Sequence, residues 1–437
     1  MTKGRKLFGT DGVRGEAGTF LTAELATALG RAATASLESQ GPQVLIVRDT
    51  RESGPMLEAA LAAGIAAAGG DALIGGVLPT PAAAVLVRRL GLDLAAVVSA
   101  SHNPYRDNGI KFFSGTGTKL DDDAEARIES LLDAEAGAAK PGGVRELSGG
   151  LEDYLRALQA AFPLDLSGRR LMLDCANGAT FRAAPAIFER LGAEVEAIGV
   201  DPDGRNINEG CGSTHLDRLQ EAIADSEATI GFAFDGDGDR VLAVDAGGRA
   251  HDGDELIALA ARGLAARDEL DGGVAVTVMS NYGFHQAMEE AGIPVATTKV
   301  GDRYVLDELR ERRWSLGGEQ SGHIIDTRFV ATGDGIAAAL ATMRELGDRE
   351  LADAAPMEKL PQTLVNVEVA DREAVGAAEA VWKAVEEEGA RLEGRGRVLL
   401  RPSGTEPLVR VMVEAPTGEE ADAACERLVS VVRRELA

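Results

Sequence analysis

Three aspartates alternate with glycine in the segment Asp235–Asp239, directly after the apolar run Ile230–Phe234. In an extended backbone, residues i, i+2 and i+4 point to one side, so this spacing predicts three carboxylates that face one point. A hard cation relieves such crowding, and oxygen-only ligands favour Mg²⁺ or Ca²⁺ over zinc. A calcium EF-hand is excluded, because Arg240 stands where glycine is required and Ala246 where the closing glutamate belongs. The segment therefore predicts a Mg²⁺ site open to phosphate, and a solvated acidic turn is the alternative.

Ser101 follows the apolar run Leu94–Val98 and is itself followed by His102, Asn103 and Pro104. The end of a buried strand is a common place for a functional residue. An acyl-transfer serine is not indicated, because the elbow G-x-S-x-G is absent and His102 is too near in sequence to serve easily as the base. A serine that carries phosphate beside the metal fits better, and the alternative is a plain Ser/Asn/Pro turn.

A basic loop near the C-terminus combines Arg401, Ser403, Gly404, Thr405 and Arg410. Hydroxyls and backbone N–H groups around a glycine form a nest for anions, and arginines bind phosphate with two parallel hydrogen bonds. No G-x-x-x-x-G-K-[ST] segment occurs in the chain, so this is not a Walker loop. A phosphate site is predicted, and a simple β-turn between two strands is the alternative.

Further polar residues complete the candidate set. Glu319, Ser321 and His323 lie in one loop, and their donors and acceptors suit sugar hydroxyls. Lys111 lies between apolar neighbours, where burial is expected to lower its pKa and fit it for proton transfer. The alternative is a lysine whose ammonium extends to solvent. Arg14, in a glycine-rich segment, is placed to reach an anion.

Strand and helix patterns alternate along the chain, which predicts an α/β fold with sheets covered on both faces. The length of 437 residues predicts three or four domains. A glycine-rich gap at 134–150 and a proline-bounded linker at 354–361 suggest where domains divide. The predicted domains are 1–150, 151–251, 252–358 and 359–437. Predicted helices include Thr22–Leu37 and Ser53–Ala68, capped by Thr22 and Ser53, and Arg372–Glu388 in the last domain.

Composition narrows the environment and the partners. The net charge of −26 disfavours nucleic acid and anionic membranes, and it requires locally clustered basic residues if the substrate is a phosphate. The three cysteines show no C-x-x-C spacing, which predicts a reduced cytoplasm. No apolar run is long enough to span a bilayer, and the N-terminus lacks a secretory h-region.

The motifs F-G-T-D-G-V-R-G, S-A-S-H-N-P, D-G-D-G-D-R, G-E-Q-S-G-H and R-P-S-G-T-E-P-L-V-R give the chain a specific resemblance. The motifs occur in the same order as in the α-D-phosphohexomutase family, which the chain resembles from Leu7 to the C-terminus. The segment Lys299–Tyr304 and Gln320 match the amino-sugar branch of that family. The resemblance implies three related α/β/α domains plus a smaller α+β, TATA-binding-protein-like C-terminal domain around a central cleft.

The resemblance also implies an activity. Such an enzyme is an isomerase that interconverts glucosamine 6-phosphate and glucosamine 1-phosphate, through a phosphoserine and a 1,6-bisphosphate that is also its activator, and it feeds UDP-N-acetylglucosamine synthesis. A glucose- or mannose-phosphate mutase of the same family is the alternative. The implied protein is cytoplasmic and dimeric, with a phosphosugar as its partner and neither nucleic acid nor membrane.

The resemblance further implies a role for each of these residues. The Mg²⁺ ligands are Ser101, Asp235, Asp237 and Asp239, with phosphate carried on Ser101. The proton-transfer and phosphoserine-supporting groups are Lys111, His323 and Arg14. The sugar and its distal phosphate are bound by Glu319, Ser321, Arg401, Ser403, Gly404, Thr405 and Arg410.

Two other classes share part of this pattern. A metal-dependent phosphatase would need the aspartates and Ser101, but no second phosphate site. A non-catalytic sensor of sugar phosphates would bind ligand without ever becoming phosphorylated.

Overall fold

The computed structural model describes residues 7–9, 11–134, 140–371, 373–402 and 407–436. These ranges divide into two compact units. The first contains the described residues up to Met279 together with Ile293–Ala355, and the second contains Ser280–Gly292 and the described residues from Pro356 onward.

A six-stranded mixed sheet opens the first unit, with the strand order β1-β5-β4-β2-β3-β6. Its strands are β1 (Val13–Glu16), β2 (Gln43–Arg48), β3 (Asp71–Val77), β4 (Leu94–Val98), β5 (Asp107–Ser114) and β6 (Val144–Glu146). The helices of this part are α1 (Ala23–Ala35), α2 (Gly54–Ala67), α3 (Thr80–Arg89) and α4 (Asp122–Leu131). Strands β2, β3, β4 and β6 are parallel, whereas β5 runs antiparallel to both β4 and β1.

Burial explains the apolar strands of this sheet. Alternate residues such as Leu94, Ala96 and Val98 belong to the core shared with α1, α2 and α4. The intervening Ala95 and Val97 are also buried, so β4 is covered on both faces. Helices α1 and α2 pack at backbone distance, because a Cβ on Gly30 would lie 2.4 Å from the carbonyl oxygen of Leu61.

The second sheet follows the order β11-β10-β9-β7-β8. Its strands are β7 (Arg170–Asp174), β8 (Glu194–Ile198), β9 (Ile230–Phe234), β10 (Val241–Asp245) and β11 (Ala250–His251). Helices α5 (Gly150–Ala161), α6 (Ala183–Arg190) and α7 (Asp217–Ala224) accompany it. Strand β9 is fully buried and ends where the aspartate segment begins, so the sheet fixes where that segment starts.

A third sheet, ordered β13-β12-β14-β15, completes the first unit. Its strands are β12 (Val274–Thr277), β13 (Val295–Thr298), β14 (Leu316–Gly318) and β15 (Ile324–Asp326). Its helices are α8 (Gly253–Ala266), α10 (Asp302–Arg312), α11 (Gly335–Leu346) and α12 (Leu351–Ala354). The loop that carries Glu319, Ser321 and His323 joins β14 to β15, two paired antiparallel strands.

The second unit is built on a three-stranded antiparallel sheet of order β16-β18-β17. Its strands are β16 (Gln362–Glu368), β17 (Arg397–Pro402) and β18 (Leu408–Glu414), and its helices are α9 (Tyr282–Glu290), α13 (Glu379–Leu392) and α14 (Gly418–Leu436). Buried residues of α13, α14 and all three strands form its core. Helix α9 is held by the buried carboxylate of Glu414, which accepts a hydrogen bond from the N–H of Tyr282 at 2.8 Å.

The predicted α/β class is confirmed, but two local predictions were wrong. The helix predicted at Arg372–Glu388 is instead a 3₁₀ turn at Glu373–Ala377, which contains Gly376, followed by α13; Arg372 lies outside the described residues. Ser53 does not cap α2 with its side chain, because its backbone is helical (φ −76°, ψ −13°) rather than extended, and its hydroxyl accepts from Asn108 instead. In the glycine-rich segment 134–150, residues Val144–Glu146 form β6, which pairs with β3.

Within the described ranges, no helix combines the length and apolar character that crossing a bilayer requires.

Candidate active site

The carboxylates of Asp235, Asp237 and Asp239 converge at the turn between β9 and β10. One oxygen from each lies within 4.8 Å of the others, and all three residues are buried. The backbone is a turn with Gly238 at φ +74°, so the reason given from an extended strand was wrong. The turn, rather than side-chain alternation, brings the three carboxylates together.

This cluster has oxygens that the protein does not satisfy. Among the described residues, Oδ1 of Asp237 and Oδ1 of Asp239 are buried without a hydrogen-bond partner. A buried carboxylate oxygen without a donor is costly, and a hard divalent cation is the natural partner for several of them. The donor set therefore fits Mg²⁺.

The pKa values of Asp235 and Asp237 shift in opposite directions, because their neighbours differ. Burial, and then the neighbouring charges of Asp239 and Asp237, raise the pKa of Asp235 well above its ordinary value. Asp237 behaves oppositely: burial opposes ionisation, but Lys111 and the hydroxyl of Thr80 hold its pKa below the ordinary value. The cluster thus carries more negative charge than its one contacting lysine balances.

Ser101 lies against this cluster. Its hydroxyl donates to Oδ2 of Asp235 at 2.6 Å and lies 3.2 Å from Nδ1 of His102. Ser101 is buried and adopts φ +53°, a left-handed conformation that is unfavourable for a residue with a Cβ and that clusters at functional sites. Burial, followed by Arg240 and Arg14, lowers the pKa of His102, so its imidazole is neutral near pH 7.

Lys111 points from β5 into the same cluster. Its Nζ lies 2.8 Å from Oδ2 of Asp237, 3.7 Å from Oδ2 of Asp239 and 3.6 Å from Oδ2 of Asp11. Burial alone would lower the pKa of this ammonium, but the three carboxylates outweigh burial and raise it. The predicted lowering of the Lys111 pKa was therefore wrong, because the carboxylates come from segments that are remote in sequence.

A chain of alternating charges extends from Lys111 to the β14–β15 loop. Lys119 bridges the carboxylates of Asp11 and Asp302. Oδ2 of Asp302 lies 3.7 Å from Nε2 of His323, which lies 3.8 Å from Oδ2 of Asp239. Asp11 and Asp302 lie in the quoted segments F-G-T-D-G-V-R-G and Lys299–Tyr304, but no role was predicted for them or for Lys119, since their contacts join parts of the chain that are far apart in sequence.

The β14–β15 loop carries polar atoms of two kinds: some are hydrogen-bonded, and others have no hydrogen-bond partner among the described residues. Oε1 of Glu319 accepts from the N–H of Gly301 at 3.1 Å. The hydroxyl of Ser321 and Nδ1 of His323 are buried without a partner among the described residues, while Nε2 of His323 accepts from Gly333 at 3.3 Å. These unused donors and acceptors are available to a ligand.

Two arginines lie close to the aspartates. The guanidinium of Arg14 donates hydrogen bonds to the carboxylate and to the carbonyl oxygen of Asp11. Arg240, which had been given no role, donates its backbone N–H to Oδ1 of Asp235 at 3.1 Å. Its Nε lies 3.8 Å from Oδ1 of Asp239.

The second unit carries the basic loop. Arg401 on β17 and Arg410 on β18 are paired directly across the two strands. Burial, and then Arg410, lower the pKa of Arg401. Like charges opposite each other destabilise a sheet, so this pair favours an anion as its partner. Ser403, Gly404 and Thr405 lie outside the described residues.

Known proteins that are similar to this chain show the family to which it belongs. The chain belongs to the phosphoglucomutase/phosphomannomutase family: its alpha/beta/alpha domains I, II and III match residues 5–138, 152–248 and 252–362, and its C-terminal domain matches residues 364–431. This confirms the predicted α-D-phosphohexomutase family and the predicted enzyme class, since the family's enzymes are isomerases. The family depends on Mg²⁺.

Several relatives that match nearly the full chain are phosphoglucosamine mutases. A phosphoglucosamine mutase of Desulforudis audaxviator is 51% identical, covering 98% of this chain and 97% of its own. Another from Pelotomaculum thermopropionicum is 50% identical, covering 98% and 99%, and one from Pseudomonas fluorescens is 48% identical, covering 99% of both.

Solved structures agree on the fold. A phosphoglucomutase/phosphomannomutase family protein of Burkholderia thailandensis superposes with a TM-score of 0.81 at 26% identity, covering 98% of this chain and 96% of that chain. An Aspergillus fumigatus N-acetylphosphoglucosamine mutase, solved with GlcNAc-6P and magnesium, gives a TM-score of 0.69 at 20% identity, covering 99% and 96%.

Proposed function

We propose that this chain interconverts glucosamine 6-phosphate and glucosamine 1-phosphate through a phosphoserine at Ser101 and a glucosamine 1,6-bisphosphate intermediate. One observation carries the proposal: the hydroxyl of Ser101 lies 2.6 Å from Asp235, within a cluster of three buried carboxylates. Relatives about half identical over nearly the full chain are named phosphoglucosamine mutase, which favours the amino sugar over glucose or mannose phosphates.

The transfer uses Ser101 twice. In the first step the bond between Oγ of Ser101 and its phosphoryl group breaks, and a hydroxyl of the sugar phosphate takes the group to give the bisphosphate. In the second step the other phosphate returns to Ser101, and the isomeric monophosphate leaves. Ser101, Asp235, Asp237 and Asp239 would hold Mg²⁺, which when bound neutralises charge on the transferring group.

Lys111 and His323 are the proposed proton-transfer groups. The raised pKa of Lys111 means that it enters the reaction charged, so it acts as a proton donor and as a cation beside the phosphoryl group. Nδ1 of His323 is buried without a partner among the described residues and, because Nε2 accepts from Gly333, carries the ring proton, so it is suited to donate that proton to an oxygen of the ligand. Arg14 and Arg240 add positive charge on the side of the cluster facing Asp11 and Asp239.

Sugar and distal phosphate are assigned to separate loops. Glu319 and the unpartnered hydroxyl of Ser321 are proposed to bind sugar hydroxyls. Arg401 and Arg410, with Ser403, Gly404 and Thr405, are proposed to bind the phosphate that does not react. Arginine reads charge and planar geometry rather than the sugar, so the same loop serves either phosphate of the bisphosphate.

The domain limits, the oligomeric state, the location and the partners are also proposals. The limits 1–150, 151–251, 252–358 and 359–437 are proposed for the four domains, supported by the four matching family domains. A homodimer, a cytoplasmic location and the absence of nucleic-acid and membrane partners are also proposed. Light scattering of the purified chain would test the dimer.

Turnover assays test the function. Purified protein with Mg²⁺ and catalytic bisphosphate is given glucosamine 6-phosphate, glucose 1-phosphate or mannose 1-phosphate, and products are followed by ³¹P NMR. We expect the highest kcat/KM for glucosamine 6-phosphate. A higher value for glucose or mannose phosphate would support the other branch of the family. Steady release of inorganic phosphate would indicate a phosphatase, and binding without phosphorylation or turnover a sensor.

A further inference from the structure

An arginine next to β2 is completely buried. Arg51 has no exposed surface and is among the largest fully buried side chains of the described structure. Its Nε donates to Oδ2 of Asp49 at 2.8 Å, and Asp49 is equally buried. Burying a guanidinium costs free energy unless all of its N–H groups donate hydrogen bonds. The acceptors of the remaining N–H groups therefore indicate the role of Arg51.

Those donors all reach the loop that carries Ser101. Nη2 of Arg51 donates to the carbonyl oxygens of Ser101 at 2.8 Å and of Asn103 at 2.9 Å. Nη1 donates to the carbonyl of Asp107 at 2.9 Å and to that of Pro104. One planar group therefore gathers four carbonyls from a segment of seven residues, 101–107.

Two of these four carbonyls also accept hydrogen bonds from a second side chain. Nδ2 of Asn208 donates to the carbonyl oxygens of Ser101 at 2.9 Å and of Asn103 at 3.2 Å. The aspartate turn lies against this point, since a Cβ on Gly236 would lie 2.6 Å from the carbonyl oxygen of Ser101. The backbone of Ser101 is thus fixed relative to the cluster that its hydroxyl meets.

Asp49 connects Arg51 to the backbone N–H of Ser101 as well. The hydroxyl of Ser99 donates to Oδ2 of Asp49 at 2.5 Å and accepts from the N–H of Ser101 at 3.0 Å. Both backbone polar groups of Ser101 are therefore held by the pair Arg51 and Asp49, directly or through Ser99. These contacts hold Ser101 at a φ of +53°, which is otherwise unfavourable.

We propose that Arg51 is a positioning residue for phosphoryl transfer: it holds the Ser101 backbone in its left-handed conformation, so that Oγ faces the aspartate cluster. The inference rests on the proposed function for its kinetic consequence. Arg51 touches neither the transferring group nor the cluster, and it acts only through Ser101. Lysine cannot replace it, because one ammonium cannot span four carbonyls in a plane.

The test compares Arg51→Lys with Arg48→Lys. Arg48 lies at the end of β2, pairs with Glu58 at 3.2 Å, and donates to the carbonyl of Asp49 rather than to the 101–107 segment. We expect kcat for glucosamine 6-phosphate to fall about 100-fold in Arg51→Lys with KM nearly unchanged, because misplacing a reacting group costs that much. Amide hydrogen exchange in 101–107 should accelerate at the same time. Arg48→Lys should match the wild type in both measurements.

Several outcomes decide the inference. A folded Arg51→Lys protein with wild-type kcat, or with unchanged exchange in 101–107, overturns it. If Arg51→Lys does not fold, Asp49→Asn replaces it, because it weakens the ion pair that holds Arg51 and keeps the shape of the side chain; we then expect a fall in kcat of about 10-fold with nearly unchanged KM and faster exchange. Wild-type kcat and exchange in Asp49→Asn would overturn the inference equally. A wild-type protein that does not turn over glucosamine phosphate rejects the proposed function instead, and the exchange comparison still decides whether Arg51 holds the loop.

Discussion

Two acidic clusters lie at opposite ends of β10, and they differ in how their charge is balanced. At its start, the three carboxylates of the aspartate turn leave two buried oxygens without a donor among the described residues. At its end, Asp245 and Glu255 enclose His251, whose ring nitrogens lie 3.0 Å and 3.1 Å from their oxygens. Acidic residues alone therefore do not indicate a metal site in this protein.

The second cluster supplies its own cations. Arg249 donates to Glu255 at 2.6 Å, while the backbone N–H groups of Gly247 and Arg249 satisfy the other oxygen of Asp245. Burial would lower the pKa of His251, but Glu255 and Asp245 outweigh burial and raise it. The aspartate turn therefore differs from the cluster around His251 in having carboxylate oxygens without a donor among the described residues, and not in being acidic.

The largest effect is expected at the serine that the aspartate cluster holds. Ser101→Ala removes the proposed phosphoryl carrier, and turnover should fall by about 10⁴-fold or more while the fold is retained. Steady-state assays and circular dichroism check the two parts. A Ser101→Ala variant with substantial turnover would remove the reason for assigning the first cluster to catalysis.

The two clusters should respond differently to loss of one carboxylate. Asp237→Asn should weaken Mg²⁺ binding and reduce turnover by about 10³-fold, because charge stabilisation by a metal is worth several kcal/mol. Asp245→Asn, at the other end of β10, should retain Mg²⁺ affinity. Calorimetric titration with Mg²⁺ measures both variants. Equal affinity losses in the two would contradict the distinction.

Another buried carboxylate, that of Asp334, receives no hydrogen bond from a charged side chain among the described residues. Asp334 accepts from the hydroxyl of Tyr154 at 2.8 Å and from the N–H of Ala337 at 2.9 Å, and burial raises its pKa to about 6. The folded protein then binds more protons than the unfolded chain between about pH 4 and 6, so the free energy of unfolding falls by up to about 3 kcal/mol as pH rises through this window. Urea unfolding should show that Asp334→Asn lacks this decrease, and an unchanged pH dependence would refute it.

The smallest effect is expected at His251. Because its folded pKa is raised, its stabilising contribution is complete below about pH 6.5 and is lost as pH rises through the folded pKa. His251→Gln should lower the free energy of unfolding by about 2 kcal/mol at pH 6, with a smaller difference at alkaline pH and little change in kcat. Thermal unfolding at several pH values measures this. A strong loss of Mg²⁺ affinity in this variant would show that the two clusters are not independent.

Much of the fold and the site could be predicted from contiguous residues. Strand β4 follows from the continuous apolar run Leu94–Val98 and helix α1 from its cap at Thr22, and the aspartate and Ser101 motifs each lie in one short segment. Asp11, Lys119, Arg51 and Asn208 could not be found in this way, because their roles depend on contacts far apart in sequence. The direction of the Lys111 pKa shift was mispredicted for the same reason: its burial was visible in the sequence, but the carboxylates around it were not.

In the proposed reaction, Ser101 carries the phosphoryl group that the sugar receives. Protein labelled with ³²P at Ser101 can be mixed with glucosamine 6-phosphate and quenched at millisecond intervals. We predict that the label moves to a sugar bisphosphate at least as fast as turnover, and then to glucosamine 1-phosphate. Label that stays on the protein during turnover, or that leaves only as inorganic phosphate, would contradict the account.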